Sequence, residues 1–215
     1  MLLIKFANEV SYLTWDLFNI IGTIAFALSG VIVAMEEEYD LMGVYILGLV
    51  TAFGGGAIRN LLIGVPISVL WNQGNLFIIA IAVMTIAFII PNLWIVPWLK
   101  WGIFFDAIGL GAFAIQGALY AVELNQPLSA AIVAATLTGT GGGMIRDLLA
   151  GRKPLFLHKE IYIAWAMLAG IVIGLELITS MTGYFILLVA IIILRMLSVQ
   201  YHWQLPQRKL KMKEH

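Results

Sequence analysis

Long apolar runs alternate with short polar clusters along the chain, and the lengths of the runs set the expected architecture. Seven stretches, at about 11–35, 41–64, 75–97, 102–122, 128–151, 160–180 and 182–201, come close to the about 20 residues that a helix needs to cross a bilayer. They are apolar all round rather than along one stripe, which suits helices enclosed by lipid or protein. The pattern predicts an all-α polytopic membrane protein, with seven transmembrane helices in a single membrane domain over residues 1–215. The first run holds Asn8, Glu9 and Asp16 and lacks a basic segment before a short apolar core, so it reads as a retained helix and not a cleaved leader.

Composition closes off the soluble alternative. Hydrophobic residues make up 62% of the chain and charged ones 11%, against about 25% charged in a soluble domain, so nothing polar is left to cover a soluble core. With no Cys and three scattered His, no thiolate or zinc site is expected, and no cofactor. Formal charge is zero and the one basic patch is the short tail Arg208, Lys209, Lys211 and Lys213, which argues against a nucleic-acid partner.

Basic loop residues orient the chain. One side of the membrane would carry only Lys5, the other Lys100, Arg152, Lys153, Lys159 and the basic tail 202–215. Because Lys and Arg resist export, the amino terminus is expected outside and the carboxyl terminus in the cytoplasm. The acidic cluster Glu36, Glu37, Glu38 and Asp40 would then be cytoplasmic, either as a solvated turn or as a divalent-cation site.

The chain also matches itself at a shift of 87 residues. Gly22–Gly30 aligns with Gly109–Gly117 at five positions, and Thr51–Gly64 aligns with Thr138–Gly151 at nine of fourteen without a gap. Repeat one would cover about 11–97 and repeat two about 102–180, with an extra helix at 182–201. Three spans per repeat bring the chain out on the opposite side, so the second copy must be inverted, an arrangement common in transport folds.

Both copies carry a GGGxIR core. Three successive glycines, Gly54, Gly55 and Gly56 or Gly141, Gly142 and Gly143, disfavour helix by about 1 kcal/mol each and predict a kink or an unwound turn lining a path, although close packing through small residues is the simpler use. Arg59 and Arg146 follow three residues later, and an arginine at membrane depth usually faces water or the bundle interior. Each lies roughly 9 Å beyond the middle of its span, so inversion would put one near each mouth of an hourglass-shaped path. Thr51, Thr138 and Thr140 offer hydroxyls beside the glycines, unless they bond their own backbone.

The repeats differ in charge. Asn60 corresponds to Asp147 and Asn19 to Asp106, so the acids that would neutralise an arginine or attract a cation belong to the second repeat. Asp106 can instead be a helix N-cap. Glu176 reads as interfacial, and Arg195 as a side chain that snorkels to the surface.

With GGGAIRNLLIG at 54–64 and GTGGGMIRDLLAG at 139–151, the chain resembles the TRIC (trimeric intracellular cation) channels and their bacterial inner-membrane relatives over about residues 12–200. The resemblance implies a homotrimer in the cell membrane, in contact with lipid, with a path for potassium or other monovalent cations inside each protomer. It also implies that the second and fifth helices line the path at the two glycine runs, with Arg59 and Arg146 in the pore and a basic residue of the fifth helix acting on gating. The Lys-Glu-Val segment that animal members associate with phosphoinositide is absent from 53–59, which favours a prokaryotic membrane. Some bacterial relatives look like small amino-acid transporters, so two functions stand: a passive monovalent-cation channel, or a carrier of a small zwitterion such as glycine whose carboxylate meets an arginine. A purely structural role, with glycines for packing alone, is the third. No nucleophile, base and orienting group recur together, which argues against an enzyme.

Overall fold

The computed structural model describes residues 2–90, 102–154 and 161–206, with side chains from residue 13 onward. The described residues form seven α-helices: α1 (Leu2–Glu36), α2 (Leu41–Leu62), α3 (Gly74–Ile89), α4 (Gly102–Glu123), α5 (Leu128–Leu149), α6 (Ile163–Gly174) and α7 (Met181–Gln200). A 3₁₀ turn over Ile67–Gln73 leads into α3 and starts the third crossing seven residues before its α-helix, ahead of the expected position 75. The expected end of that span beyond residue 90, the start of the sixth at 160, and the basic tail from 207 lie outside the described residues. Six of the helical segments are long and apolar enough to cross a membrane.

The sixth span differs from expectation. Apolar residues run on to 180, but α6 ends at Gly174 after 12 residues, about 18 Å of helix, which is too short to cross the about 30 Å hydrocarbon layer alone. Its stop is local. Glu176 takes φ +53° and Leu177 N–H returns to Val172 O, closing a left-handed cap that hydropathy does not register. The same closure ends α2 at Gly64 (φ +76°) and α5 at Gly151 (φ +68°), where glycine takes the left-handed backbone without a Cβ penalty.

The centre is a four-helix group in which α1 packs on α2 and α4, and α5 packs on α2 and α4; α3, α6 and α7 lie around it. Large apolar side chains point away from this centre, including Ile78 and Ile89 of α3, Ile186 and Ile193 of α7, and Leu61 and Leu148, all more than half exposed. Such a surface suits lipid and not water.

The glycine runs overturn an expectation. Both lie inside unbroken helices, Leu41–Leu62 and Leu128–Leu149, and none of the six takes a positive φ. The reason is contact between helices. A Cβ on Gly55 would lie 2.4 Å from the carbonyl oxygen of Thr138, one on Gly142 would lie 2.0 Å from that of Thr51, and one on Gly141 would lie 3.0 Å from the Gly55 Cα. The helices approach so closely that only hydrogen fits, and the packing gained outweighs the propensity lost.

Phe26 and Phe113 sit at the middle of the same group, edge to face with ring centroids 5.2 Å apart. Gly109 makes room for the Phe26 ring and Gly22 for the Phe113 ring. These contacts are reciprocal: at a shift of 87 residues Gly22–Phe113 maps onto Gly109–Phe26, and Gly55–Thr138 onto Gly142–Thr51.

Candidate functional site

Two buried arginines, each in the last turn of its helix, organise the polar interior. That position lets the carbonyl end of the helix dipole favour the cation. Arg59 is 2% exposed; its Nε and Nη2 donate to Asn60 Oδ1 at 3.1 and 2.9 Å, and its Nη1 donates to Gln116 Oε1 at 2.6 Å. The guanidinium carbon lies 4.6 Å from the centre of the Tyr120 ring, a cation–π contact.

Arg146 repeats this pattern with acids. Its Nε donates to Asp147 Oδ1 at 2.8 Å, Nη2 lies 2.7 Å from the same oxygen, and Nη1 donates to Asp106 Oδ1 at 2.8 Å and to Ser29 Oγ. Ser29 and Gln116 are 87 residues apart, so each arginine reaches across to the other repeat at the equivalent position. Asp106 is an interior residue of α4, 1% exposed, and not the N-cap that its place in the sequence also allowed.

Two cavities approach the arginines, one reaching Arg146 and the other stopping short of Arg59. One, of about 260 Å³, runs from Glu36, Arg152 and Lys153 inward to Ser29, Asp106, Asp147 and Arg146. The other, of about 480 Å³, is lined by Trp15, Asp16, Asn19, Asn72, Gln73 and Asn75. Asn19 and Gln73 also line a void of about 10 Å³ against Arg59, Gly56, Gln116 and Thr138. Asp16 and Glu36 stand 20 residues apart on α1, about 30 Å at helical rise, so the cavities enter from opposite ends. No residue lines both the Arg146 cavity and the Arg59 void; Phe113 lines that void, and the Phe26 ring packed on it lies on α1 between Asn19 of the void and Ser29 of the Arg146 cavity.

The other expected site residues divide. Gly56 and Gly143 face their own arginines, with an added Cβ 3.7 Å from Nη2 in both cases, whereas Gly54, Gly55, Gly141 and Gly142 serve helix contact. Thr51, Thr138 and Thr140 donate their hydroxyls to the carbonyls of Leu47, Ala134 and Thr136, one turn back. Asn60 and Asp147 each hold the arginine that precedes them.

Arg195 corrects another expectation. It does not reach the surface: it is fully buried, lies 4.7 Å from the Tyr162 ring centre, and lines the Arg146 cavity. Ser29, Gln116, Tyr120, Tyr162 and Gln73 also belong to these sites and were not singled out from sequence. The alignment of Ser29 with Gln116 inside the first matched segment was a signal that could have found two of them.

The acidic cluster forms a latch at the cavity mouth. Arg152 pairs with Glu36 at 2.7 Å and Glu37 at 2.6 Å, Tyr39 Oη donates to Leu149 O at 2.9 Å, and Asp40 caps α2 by accepting from Gly43 N–H. Partial burial disfavours the charge on Arg152, but the bonds to Glu36 and Glu37 outweigh it and hold its pKa above the ordinary value. Among the described residues no three His, Cys, Asp or Glu side chains gather as metal ligands.

The family described as "Glycine transporter" matches residues 16–92 and 103–176, two segments that follow the two halves of the chain. The UPF0126 membrane protein YvgT of Bacillus subtilis is 59% identical over 200 residues, 93% of this chain and 99% of that one. Among solved structures, one described as explaining conductance through TRIC cation channels is 36% identical with a TM-score of 0.75, covering 92% of this chain and 98% of its own. A prokaryotic TRIC channel crystallised in 0.5 M KCl is 33% identical with a TM-score of 0.79, covering 90% of this chain and all of the other.

Proposed function

Since the chain belongs to the family that unites UPF0126 membrane proteins with prokaryotic TRIC channels, we propose that it is a monovalent-cation channel, permeable to potassium, with one path through each protomer of a homotrimer. One observation carries this reading: cavities enter a single chain from opposite ends, one reaching the buried Arg146 and the other stopping at Asn19 and Gln73, which also line the small void against the buried Arg59. The reciprocal contacts, pairs that map onto one another at a shift of 87 residues, support two inverted repeats around the waist. In the cell membrane of a bacterium the amino terminus lies outside and the latch of Glu36, Glu37 and Arg152 faces the cytoplasm.

The mechanism follows from what closes the path. The glycines are helical, so their carbonyls are engaged within the helices and do not ligate an ion; oxygens for a cation come from Ser29, Asp106, Asp147 and Gln116. A fixed arginine repels a cation at about 332/(εr) kcal/mol, a large barrier where water is sparse. Conduction therefore requires Arg146 to swing away from the passage, with Asp106 and Asp147 as its tethers, and the Phe26–Phe113 pair to part. The glycine contact between α2 and α5 presents no side chains to such a movement.

A second reading is a carrier for a small zwitterion such as glycine. The family's description favours it, and so does Arg59, which has only neutral partners within bonding distance. Purified protein in planar bilayers under a KCl gradient separates the two. The channel gives unitary current steps with a reversal potential near that of potassium, altered in Arg146→Ala. Saturable glycine uptake into vesicles without unitary steps would replace the channel by the carrier.

A further inference from the structure

The two arginine sites share a geometry but not a charge balance. Arg146 pairs with Asp106 and Asp147, whereas Arg59, equally buried, has no Asp or Glu within ion-pair distance among the described residues. Where Arg146 finds acids, Arg59 has the amides Asn19 and Asn60. A guanidinium removed from water without a counter-charge is expensive, and its surroundings favour an anion that arrives from solution.

A second observation points the same way. The Nδ2 of Asn60 is buried and has no acceptor, so the amide and the guanidinium together offer more N–H groups than the protein receives. Gly56 leaves the Nη2 side of Arg59 uncovered, and the void there adjoins the 480 Å³ cavity through Asn19 and Gln73. The void of about 10 Å³ holds one water at most, so a ligand enters by parting Asn19 from Gln73, a weak tie at 3.5 Å.

We infer that Arg59 anchors a binding site for one small carboxylate, the group that a small amino acid presents. The carboxylate accepts from the Arg59 guanidinium and Asn60 Nδ2, and an attached ammonium faces the side-chain oxygens of Asn19, Gln73 and Asp16 toward the larger cavity. The ammonium part rests on the carrier reading. The carboxylate part does not, because an anion at Arg59 also lowers the barrier to a cation in a channel.

Tryptophan emission of the detergent-purified chain, titrated with acetate, glycine and glycinamide at constant KCl, tests this. Trp15 lies 6.0 Å from Tyr120, which stacks on Arg59, and Trp15→Phe identifies its contribution. Acetate and glycine should saturate and glycinamide should not. Arg59→Gln and Asn60→Asp should each weaken acetate by about tenfold or more, as expected for loss of a charge-assisted bond or gain of a competing carboxylate. Asn19→Asp, which copies the other repeat at a second position, covers the case in which Asn60→Asp does not fold. Saturation by glycinamide, acetate affinity unchanged in the Asp variants, or no saturation by acetate at all would overturn the site. Saturation by acetate without glycine would keep the carboxylate site and remove the carrier reading.

Discussion

An alanine scan of the six glycines distinguishes helix contact from helix breaking. If the glycines break their helices, each Gly→Ala change gains about 1 kcal/mol of helix propensity and all six should respond alike. The structure expects a graded series. At Gly142 the added Cβ would lie 2.0 Å from the Thr51 carbonyl oxygen and 3.0 Å from the Phe26 ring. An ordinary carbon–oxygen contact is about 3.3 Å, so α5 would have to retreat by roughly 1.3 Å. Overpacking of this kind costs about 1–3 kcal/mol, toward the upper end here because the obstructing atom is backbone. Gly55→Ala meets the Thr138 carbonyl at 2.4 Å and comes next, followed by Gly141→Ala at 3.0 Å from the Gly55 Cα. Gly54→Ala meets only the flexible tip of Ile145, and Gly56→Ala meets nothing nearer than 3.7 Å. Between Gly56→Ala, which should be stabilised, and Gly142→Ala the gap is about 1–3 kcal/mol. Thermal or denaturant unfolding in detergent micelles reads it. Equal stability of these two variants, or stabilisation by all six, would refute the contact account.

Three further outcomes follow from the same geometry. Asp106→Asn should cost less than the about 3–5 kcal/mol of a wholly unpaired buried charge, because Asp147 still pairs with Arg146, whereas Arg146→Met, which strips the arginine from two buried carboxylates, should cost at least that much in the same unfolding assay; equal losses would refute the pairing. Arg152→Ala should change stability by less than about 1 kcal/mol, since its ion pairs are partly exposed, yet should lengthen openings in bilayer recordings if the latch closes the mouth; unchanged dwell times would remove it from gating. Glu176→Gly relieves a left-handed residue worth about 1 kcal/mol and should raise the melting temperature, whereas Gly151→Ala should lower it.

Much of this architecture was legible in the chain because bilayer thickness sets helix length: four of the seven expected spans agree with described helices at both ends to within two residues, and α1 agrees at its end but begins at Leu2, ahead of the expected 11. The sixth did not, since hydropathy measures where apolar residues lie and not where a left-handed residue such as Glu176 turns the backbone. The GGGxIR pairs pointed to the two arginines that the structure buries among polar groups, but glycine carries no sign of why it is there: an unwound turn and a close helix crossing call for the same residue. Arg195 was misjudged for a related reason. Nearness to a helix end suggested an escape to the surface, while the Tyr162 ring that receives it comes from a distant part of the chain.

The amide-for-acid exchange between the two halves makes the chain electrically lopsided from one end of its helix bundle to the other. One buried site holds a single guanidinium among neutral groups and the other two guanidiniums, Arg146 and Arg195, with two carboxylates, so an imposed voltage pulls on the two ends unequally. Traffic through a protein whose halves are matched in shape and mismatched in charge should therefore rectify, running more easily under one polarity than under the other.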